Sequence, residues 1–291
     1  MLRNKGTGEK SRRGSKTKTR VRIVENGQAR LKSDTLATEE PMEIRLLTGG
    51  KTQTVAVTMR TPGADFELAA GFLYGEGIVG SSEEILKISY CVDPEVDAEQ
   101  QYNIVNVELR GNREYDLRSL ERHFYTTSAC GVCGKASLEQ LEIRGCPVIP
   151  PGPVVSAETI TSLPDKLRET QNLFDSTGGL HAAALFDAEG NLVALREDVG
   201  RHNATDKLVG WALLEGKLPV SDHIIMVSGR SSFEILQKSL TAGAPIICAI
   251  SAPSSLAVDV AREFGMTLIG FLRGERFNVY TGFERIKLQE K

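Results

Sequence analysis

The sequence has no apolar run of membrane-spanning length and no apolar signal-peptide core behind its N-terminus. Its cysteines are few, odd in number and widely scattered, with five in 291 residues. This pattern argues against the disulfide framework of a secreted protein. Walker and Rossmann glycine fingerprints are also missing, which disfavours ordinary ATP or NAD chemistry. We therefore expect a cytoplasmic protein with reduced thiols and no membrane partner.

Negative charge is nearly missing from the first twenty residues, which carry eight Lys or Arg against a single acid, Glu9. This segment is therefore +7, and because the whole chain is −3, residues 21–291 carry −10. A basic segment with few apolar side chains predicts a disordered tail, which we place at residues 1–34. A solvated tail is favoured over a nucleic-acid arm or a transit peptide, because a transit peptide should be amphipathic. The acidic body predicts no nucleic-acid partner.

The rest of the chain has the composition of an ordinary globular protein, with 41% hydrophobic and 25% charged residues overall. Apolar residues on both sides of Gly49-Gly50 predict a β-hairpin. A proline-rich stretch at residues 146–153 is the predicted domain boundary. We therefore expect a β-rich subdomain over residues 35–150. Residues 151–291 alternate between strand and helix patterns, which predicts a layered α/β subdomain.

Two cysteines lie three residues apart in the segment Ser128-Ala129-Cys130-Gly131-Val132-Cys133-Gly134-Lys135. Thiols at this spacing can share one task, in which one attacks a sulfur atom and the other resolves the intermediate. The two glycines let the backbone turn tightly, and Lys135 favours the thiolate. The alternative is half of a structural zinc site, which the single, distant positions of the other three cysteines disfavour. We favour a redox or sulfur-handling pair.

Three predicted strands of the second half end in similar chemistry. His223–Val227 continues into Ser228-Gly229-Arg230-Ser231-Ser232, Pro245–Ile250 into Ser251-Ala252-Pro253-Ser254-Ser255, and Thr267–Phe271 into a segment ending Arg273-Gly274-Glu275-Arg276. In a parallel sheet such ends lie side by side, where open α/β folds bind ligands. Hydroxyls at two helix N-termini and three arginines predict an anionic, nucleotide-like ligand. The alternative is that the serines only cap helices and the arginines are solvated.

A further polar segment, Arg196–Lys207, includes His202 and Asp206, four residues apart. On a helix these two would share a face, which permits a metal pair or a polarised histidine. The alternative, a capped helix with locally paired charges, is favoured over a metal site. Arg201 or His202 is a candidate for lining the ligand crevice, whereas His181 is expected to be a core or edge residue.

Over residues 35–286 these motifs resemble the FdhD (NarQ) family of formate dehydrogenase accessory sulfurtransferases. The resemblance rests on Cys130-Gly131-Val132-Cys133-Gly134, Gly179-Leu180-His181-Ala182-Ala183, Arg196-Glu197-Asp198-Val199-Gly200-Arg201-His202-Asn203-Ala204, Asp206-Lys207-Leu208, Ser228-Gly229-Arg230, and Phe271-Leu272-Arg273 with Arg276 and Tyr280. Several separate motifs in the right order are far more specific than a cysteine pair alone.

The resemblance implies a three-layer α/β sandwich similar to cytidine deaminases, with a mixed sheet and an N-terminal β-rich part. It does not imply deaminase chemistry, which needs a His-x-Glu element upstream of Pro-Cys-x-x-Cys. The nearest candidate, His181-Ala182-Ala183, lacks the glutamate. Family members look dimeric, so we expect a homodimer, and no structural metal is expected.

The resemblance also implies an activity. Such proteins accept persulfide sulfur from a cysteine desulfurase and pass it to molybdenum in bis-molybdopterin guanine dinucleotide before that cofactor enters formate dehydrogenase. Carried over to this chain, the persulfide cysteine is Cys130 and its assisting partner is Cys133. The cofactor-binding residues are Phe271, Leu272, Arg273, Gly274, Glu275 and Arg276, to which the strand-end argument adds Ser228, Gly229 and Arg230.

Two other functions stay open. A thiol–disulfide oxidoreductase would turn over a dithiol substrate with the cysteine pair and would bind no cofactor. A non-catalytic chaperone that binds the molybdenum cofactor would need the strand-end arginines and neither cysteine.

Overall fold

The computed structural model describes residues 14–111, 141, 146 and 148–288. These residues form four sheets and seven α-helices, and none of these helices is long and apolar enough to cross a membrane. Two of the sheets, one with four strands and one with six, carry most of the fold.

The first described residues form a hairpin that the charge pattern did not predict. Strands β1 (Lys16–Glu25) and β2 (Gln28–Ala37) pair antiparallel in continuous register. The disorder predicted for residues 1–34 is therefore wrong from residue 16 onward. The turn residues Asn26-Gly27 both have positive φ angles, 51° and 76°, as a two-residue hairpin turn requires. Val and Ile between the basic residues of β1 add strand propensity.

A four-stranded sheet and one helix make up the next part of the chain. The strands are β3 (Glu40–Thr48), β4 (Lys51–Arg60), β5 (Ile85–Tyr90) and β6 (Ile104–Leu109), in the order β4–β3–β6–β5. β3 and β4 form the hairpin predicted around Gly49-Gly50. Helix α1 (Asp65–Gly75) packs Leu68 and Leu73 into one apolar core with Met42 and Ile44 of β3. A short helix, α2 (Ala98–Gln101), precedes β6.

The second half of the chain forms a mixed six-stranded sheet. Its strands are β8 (His181–Asp187), β9 (Leu192–Asp198), β10 (His223–Val227), β11 (Ile246–Ala249), β12 (Thr267–Arg273) and β13 (Arg276–Thr281). The order is β13–β12–β11–β10–β8–β9, with β10, β11 and β12 parallel and the other neighbours antiparallel. A small parallel pair, β7 (Val155–Ser156) with β14 (Ile286–Lys287), accompanies it.

Helices cover both faces of the six-stranded sheet. They are α3 (Ala157–Thr170), α4 (Asn172–Thr177), α5 (Arg201–Leu214), α6 (Phe233–Thr241) and α7 (Ser255–Glu263). Side chains of β10 alternate: Ile224 and Met226 pack with α3, whereas Ile225 and Val227 pack with α5 and α6. This arrangement confirms the expected three-layer α/β sandwich.

Two glycines let helix α1 cross helix α5 at very short range. A Cβ atom on Gly71 would lie 1.9 Å from the carbonyl oxygen of Asp206, and one on Gly210 would lie 1.8 Å from that of Glu67. The two backbones are therefore in direct contact. This crossing joins the four-stranded sheet to the α/β sandwich and holds α5, which begins with Arg201.

Candidate functional site

The ends of β10, β11 and β12 lie side by side, as the sequence predicted. Ser231 and Pro253 form a parallel bridge between the loops after β10 and β11, and the Ser254 N–H donates to the Ser231 carbonyl at 2.9 Å. The Phe271 N–H donates to the carbonyl oxygen of Ser251 at 3.2 Å, which joins β12 to the second loop. The loops form one surface, here called the strand-end surface: residues 228–232, 251–255 and 270–276.

Three arginines of the strand-end surface, Arg230, Arg273 and Arg276, are exposed. The Nε of Arg273 donates to the carbonyl oxygen of Ile250 at 3.3 Å, so this side chain lies across the end of β11. Arg273 and Arg276 are cross-strand partners. Like charges in opposite positions repel each other, and a bound anion would relieve that repulsion. Within the described part of the chain none of the three forms an ion pair, so this geometry favours an anionic ligand.

The serines of this surface have different roles. The Ser254 hydroxyl accepts from the Ala257 N–H at 3.2 Å and caps α7, as the capping alternative predicted. Ser228 accepts from the Ala182 N–H at 2.9 Å, which ties its loop to β8. Ser232 caps nothing, because its hydroxyl lies 3.2 Å from Nε2 of His202.

Two members of the predicted cofactor-binding set are turned away from solvent. Gly229 is buried, and the side chain of Leu272 lies in the apolar core below the sheet. These residues shape the strand-end surface from beneath. Phe271, Gly274 and Glu275 are exposed on it together with the arginines.

Arg201 lies directly behind the loop after β10. A Cβ atom on Gly229 would lie 3.4 Å from both Cδ of Arg201 and Nδ1 of His181, an ordinary van der Waals distance, so the loop backbone packs closely on these two side chains. Burial, together with the nearby charge of Arg201, lowers the pKa of His181. His181 is thus neutral at pH 7, and Arg201 adds a cation behind the loop. That Arg201 lines the ligand crevice stays a prediction.

His202 and Asp206 share a face of α5, but each pairs with a different residue of α6. Nε2 of His202 lies 2.7 Å from Oε2 of Glu234, and Oδ1 of Asp206 lies 2.7 Å from Nζ of Lys238. The hydrogen bond from His202 lowers the pKa of Glu234. Charge pairing was predicted, but the partners come from the neighbouring helix. Among the described residues no group of three His, Cys, Asp or Glu side chains is placed to hold a metal ion.

Sequence reasoning missed a buried polar network between the end of β4 and the start of α5. The carboxylate of Asp198 lies 2.7 Å from Nζ of Lys207 and accepts from the Thr61 N–H at 3.1 Å. Lys207 also donates to the Thr61 carbonyl at 2.8 Å, and Asn203 donates to that of Met59 at 2.7 Å. Asp198 and Lys207 are both buried. No sequence pattern could have predicted this network, because Thr61 lies more than 130 residues before Asp198 and Lys207.

Cys130 and Cys133 lie outside the described residues, and their role stays a prediction. Among the described cysteines, Cys91 and Cys248 are free thiols. Cys91 and Cys248 are buried, and burial raises the pKa of the Cys248 thiol far above its ordinary value. A thiol that stays protonated is a poor nucleophile, so Cys248 is a core residue.

The FdhD/NarQ family matches this chain over residues 37–287, which include both large sheets and the strand-end surface. The chain belongs to the FdhD/NarQ family. Only the β1–β2 hairpin and the residues before it precede the part that the FdhD/NarQ family covers.

Curated FdhD/NarQ relatives align over nearly the whole chain. Sulfur carrier protein FdhD of Streptomyces avermitilis is 53% identical over 268 residues, which is 91% of this chain and 94% of the relative. The protein of the same name from Mycolicibacterium paratuberculosis is 50% identical over 93% of this chain and 98% of its own length. The protein of the same name from Sulfurisphaera tokodaii is 48% identical over 92% of this chain and 98% of its own length.

A solved structure has the same FdhD/NarQ architecture. The crystal structure of a formate dehydrogenase accessory protein from Desulfotalea psychrophila superimposes with a TM-score of 0.70 at 26% identity. It covers 94% of this chain and 99% of its own chain.

Proposed function

We propose that this chain is a sulfur carrier that serves the maturation of formate dehydrogenase. The observation that carries this proposal is the 48–53% identity, over more than nine tenths of the chain, with proteins named sulfur carrier protein FdhD. The Cys130-Gly131-Val132-Cys133 segment supplies the thiols that such a function needs. The similarity to a formate dehydrogenase accessory protein supports the proposed client.

The first proposed step is the transfer of one sulfur atom from a cysteine desulfurase. The thiolate of Cys130 attacks the outer sulfur of the donor's cysteine persulfide. A new S–S bond forms on Cys130, the S–S bond of the donor breaks, and the donor cysteine leaves as a thiolate. The step needs no external oxidant or reductant, because one S–S bond replaces another.

The second proposed step delivers this sulfur to the molybdenum of bis-molybdopterin guanine dinucleotide. The thiolate of Cys133 attacks the inner sulfur of the Cys130 persulfide, so a Cys130–Cys133 disulfide forms and the outer sulfur leaves as sulfide. A thiol reductant then returns both cysteines to the thiol state. In this scheme the chain is a sulfurtransferase with a persulfide intermediate.

The strand-end surface is the proposed binding site for the cofactor that accepts the sulfur. Its exposed arginines, none of them held in an ion pair within the described part of the chain, suit the diphosphate groups of a guanine dinucleotide. The N-termini of α6 and α7 start in the same loops and add partial positive charge. The proposed binding residues are Arg230, Phe271, Arg273, Gly274, Glu275 and Arg276, with Ser228, Gly229 and Leu272 shaping the surface from below. We further propose a cytoplasmic homodimer with one cofactor site in each subunit.

Intact-mass analysis after incubation with a cysteine desulfurase and cysteine tests the carrier role. We expect a reducible gain of about 32 Da in the wild type and in Cys133→Ala, and no gain in Cys130→Ala. Cys146→Ala is the matched control, because Cys146 is a half-buried single cysteine and its variant should gain the same mass.

Each other outcome would contradict part of this proposal. A Cys130→Ala protein that gains sulfur normally would contradict the assignment of the carrier cysteine. No gain in any variant, with the desulfurase shown to be active, would favour the cofactor-binding chaperone. Turnover of a dithiol substrate without sulfur transfer would favour the thiol–disulfide oxidoreductase.

A further inference from the structure

The β1–β2 hairpin presents a row of cations on one of its two faces. Every second residue of β1 from position 16 to position 22 is a cation: Lys16, Lys18, Arg20 and Arg22. Side chains alternate between the two faces of a strand, so these four share one face, here called the outer face. All four are exposed, whereas Thr19, Val21 and Ile23 on the opposite face are half-buried. The outer face is thus the one open to solvent.

Two exposed apolar side chains complete the outer face at the tip of the hairpin. Val24 follows Arg22 by two residues, and Leu31 is the cross-strand neighbour of Arg22, so both lie on the outer face. Val24 is 68% exposed and Leu31 is 71% exposed. A single exposed apolar side chain is ordinary on a protein surface. Two neighbours at the tip of a ribbon, beside a row of cations, form a combined basic and apolar pattern.

The row of cations has no counter-charge within the described part of the chain. None of the four forms an ion pair there, and the exposed pair of the hairpin joins Glu25 to Arg30 on the opposite face. Residues 1–13 and residues 14–37 each carry +4, and the whole chain is −3, so residues 38–291 carry −11. An anionic surface would therefore attract the hairpin and repel the rest of the protein, which sets the orientation of the encounter.

Anionic lipid headgroups fit this combination better than a nucleic acid does. Lys and Arg attract an anionic headgroup layer, and apolar side chains beside them enter the boundary with the acyl chains. Residues 14–37 include no Phe, Tyr or Trp, the side chains on which unpaired bases stack. Val24 and Leu31 would have no role against a phosphate backbone. The expectation of no membrane partner rested on missing apolar runs, which a peripheral contact does not need.

We propose that the outer face of the β1–β2 hairpin is a peripheral membrane-binding surface. Its cations contact the headgroups of anionic lipids, while Val24 and Leu31 enter the acyl boundary. The row from Lys16 to Arg22 spans about 20 Å, at about 3.4 Å per residue, so several headgroups are within reach at once. The inference is independent of the proposed sulfur-carrier function, because all these residues precede residues 37–287, which the FdhD/NarQ family covers.

Co-sedimentation of the full chain with lipid vesicles tests this surface. One set of vesicles is phosphatidylcholine alone, and the other contains about one third phosphatidylserine, which gives an anionic surface. We expect binding to the second set only. Binding should occur at about 0.1 M salt and be lost at about 1 M salt, because the Debye length falls from about 10 Å to about 3 Å. A protein that binds both sets equally, or neither, would overturn the inference.

Matched variants on the two faces of the hairpin locate the contact. We expect Arg20→Gln/Arg22→Gln to weaken binding about 25-fold, since each cation near an anionic surface contributes a factor of about five. Arg30→Gln/Lys32→Gln removes two exposed cations from the opposite face and should bind within about threefold of the wild type. All four side chains are exposed, so the unfolding midpoints should be unchanged. Equal losses in the two variants would mean that net charge alone attracts the protein, and the assigned face would be wrong.

A variant of the tip distinguishes a membrane from a nucleic acid. Val24→Ser/Leu31→Ser keeps every charge, and we expect it to weaken vesicle binding about tenfold because two apolar side chains no longer leave water. Its binding to oligothymidylate, a polyanion without an apolar layer, should equal that of the wild type. Unchanged vesicle binding would contradict the role of the tip. If the wild type binds oligothymidylate but no vesicle, the row of cations serves a nucleic acid and the inference is overturned.

Discussion

Replacing Gly71 by alanine would force apart the two helices that join the four-stranded sheet to the α/β sandwich. The added Cβ atom would lie 1.9 Å from the carbonyl oxygen of Asp206, and the same change at Gly210 would place one 1.8 Å from that of Glu67. Both acceptors are backbone atoms, so no side-chain rotation relieves the overlap. The helix axes themselves must move.

The size of the effect follows from this overlap. Ordinary van der Waals contact begins at 3.4 Å, so α1 and α5 must separate locally by about 1.5 Å (3.4 − 1.9). A gap of about 0.5–1 Å already loses a quarter to a half of the dispersion energy at an interface. Overpacking alone typically costs about 1–3 kcal/mol. We therefore expect Gly71→Ala to lower the free energy of unfolding by about 3 kcal/mol or more, a large part of a typical 5–15 kcal/mol.

Urea denaturation followed by the fluorescence of Trp211, the single tryptophan, measures this change on α5 itself. Helix propensity alone predicts the opposite sign, since alanine is favoured over glycine by about 1 kcal/mol inside a helix. Gly179→Ala is the control, because the nearest atom to its Cβ would be 3.9 Å away. A Gly71→Ala protein as stable as the wild type would refute the close-contact argument.

The double variant Gly71→Ala/Gly210→Ala tests the geometry further. A Cβ on either glycine would lie 2.7 Å from the backbone nitrogen of the other, so one displacement of the helices relieves both overlaps. We expect the double variant to lose clearly less stability than the sum of the two single variants. Simple additivity would mean that the two positions are strained independently.

Two further predictions concern buried and half-buried charges. The side chain of Lys207 is only 2% exposed, and Asp198→Ala removes the carboxylate that pairs with its ammonium group. We therefore expect denaturant unfolding to show a free energy of unfolding lower by about 3–5 kcal/mol. Asp259→Ala, which breaks an exposed ion pair, should change stability by less than about 0.5 kcal/mol, and similar losses in both would contradict this reasoning. Burial lowers the folded-state pKa of His181 below the unfolded value of about 6.5. As the pH falls, the unfolded chain therefore takes up the proton first. The stability of the fold should decrease as the pH drops below about 6.5. His181→Gln should flatten that part of the stability–pH profile, and an unchanged slope would refute the assignment.

Some of the structure could be predicted because its signals are local. The continuous apolar run His223–Val227 predicted β10 at its observed bounds, since a strand covered on both faces needs no polar alternation. The loops after β10, β11 and β12 could be placed together because parallel strand ends share one edge. The N-terminal hairpin was missed although Asn26-Gly27 is a strong local turn signal. The prediction of a disordered tail gave more weight to the net charge of the segment than to its turn signal and its strand propensity.

Composition, periodicity and motif order determined the α/β class, the cationic character of the strand-end surface and the resemblance to one family. These properties depend on residues that are close in sequence, where propensity and spacing act directly. The tertiary structure alone decided that Asp198 and Lys207 bind Thr61, that Gly71 meets Gly210, and that Phe271 leaves the core while Leu272 enters it. Each of these contacts joins distant segments or depends on the register shift between Gly270 and Arg273 in β12. Such contacts are stabilised by tertiary packing, which cannot be predicted from the pattern of neighbouring residues in the sequence.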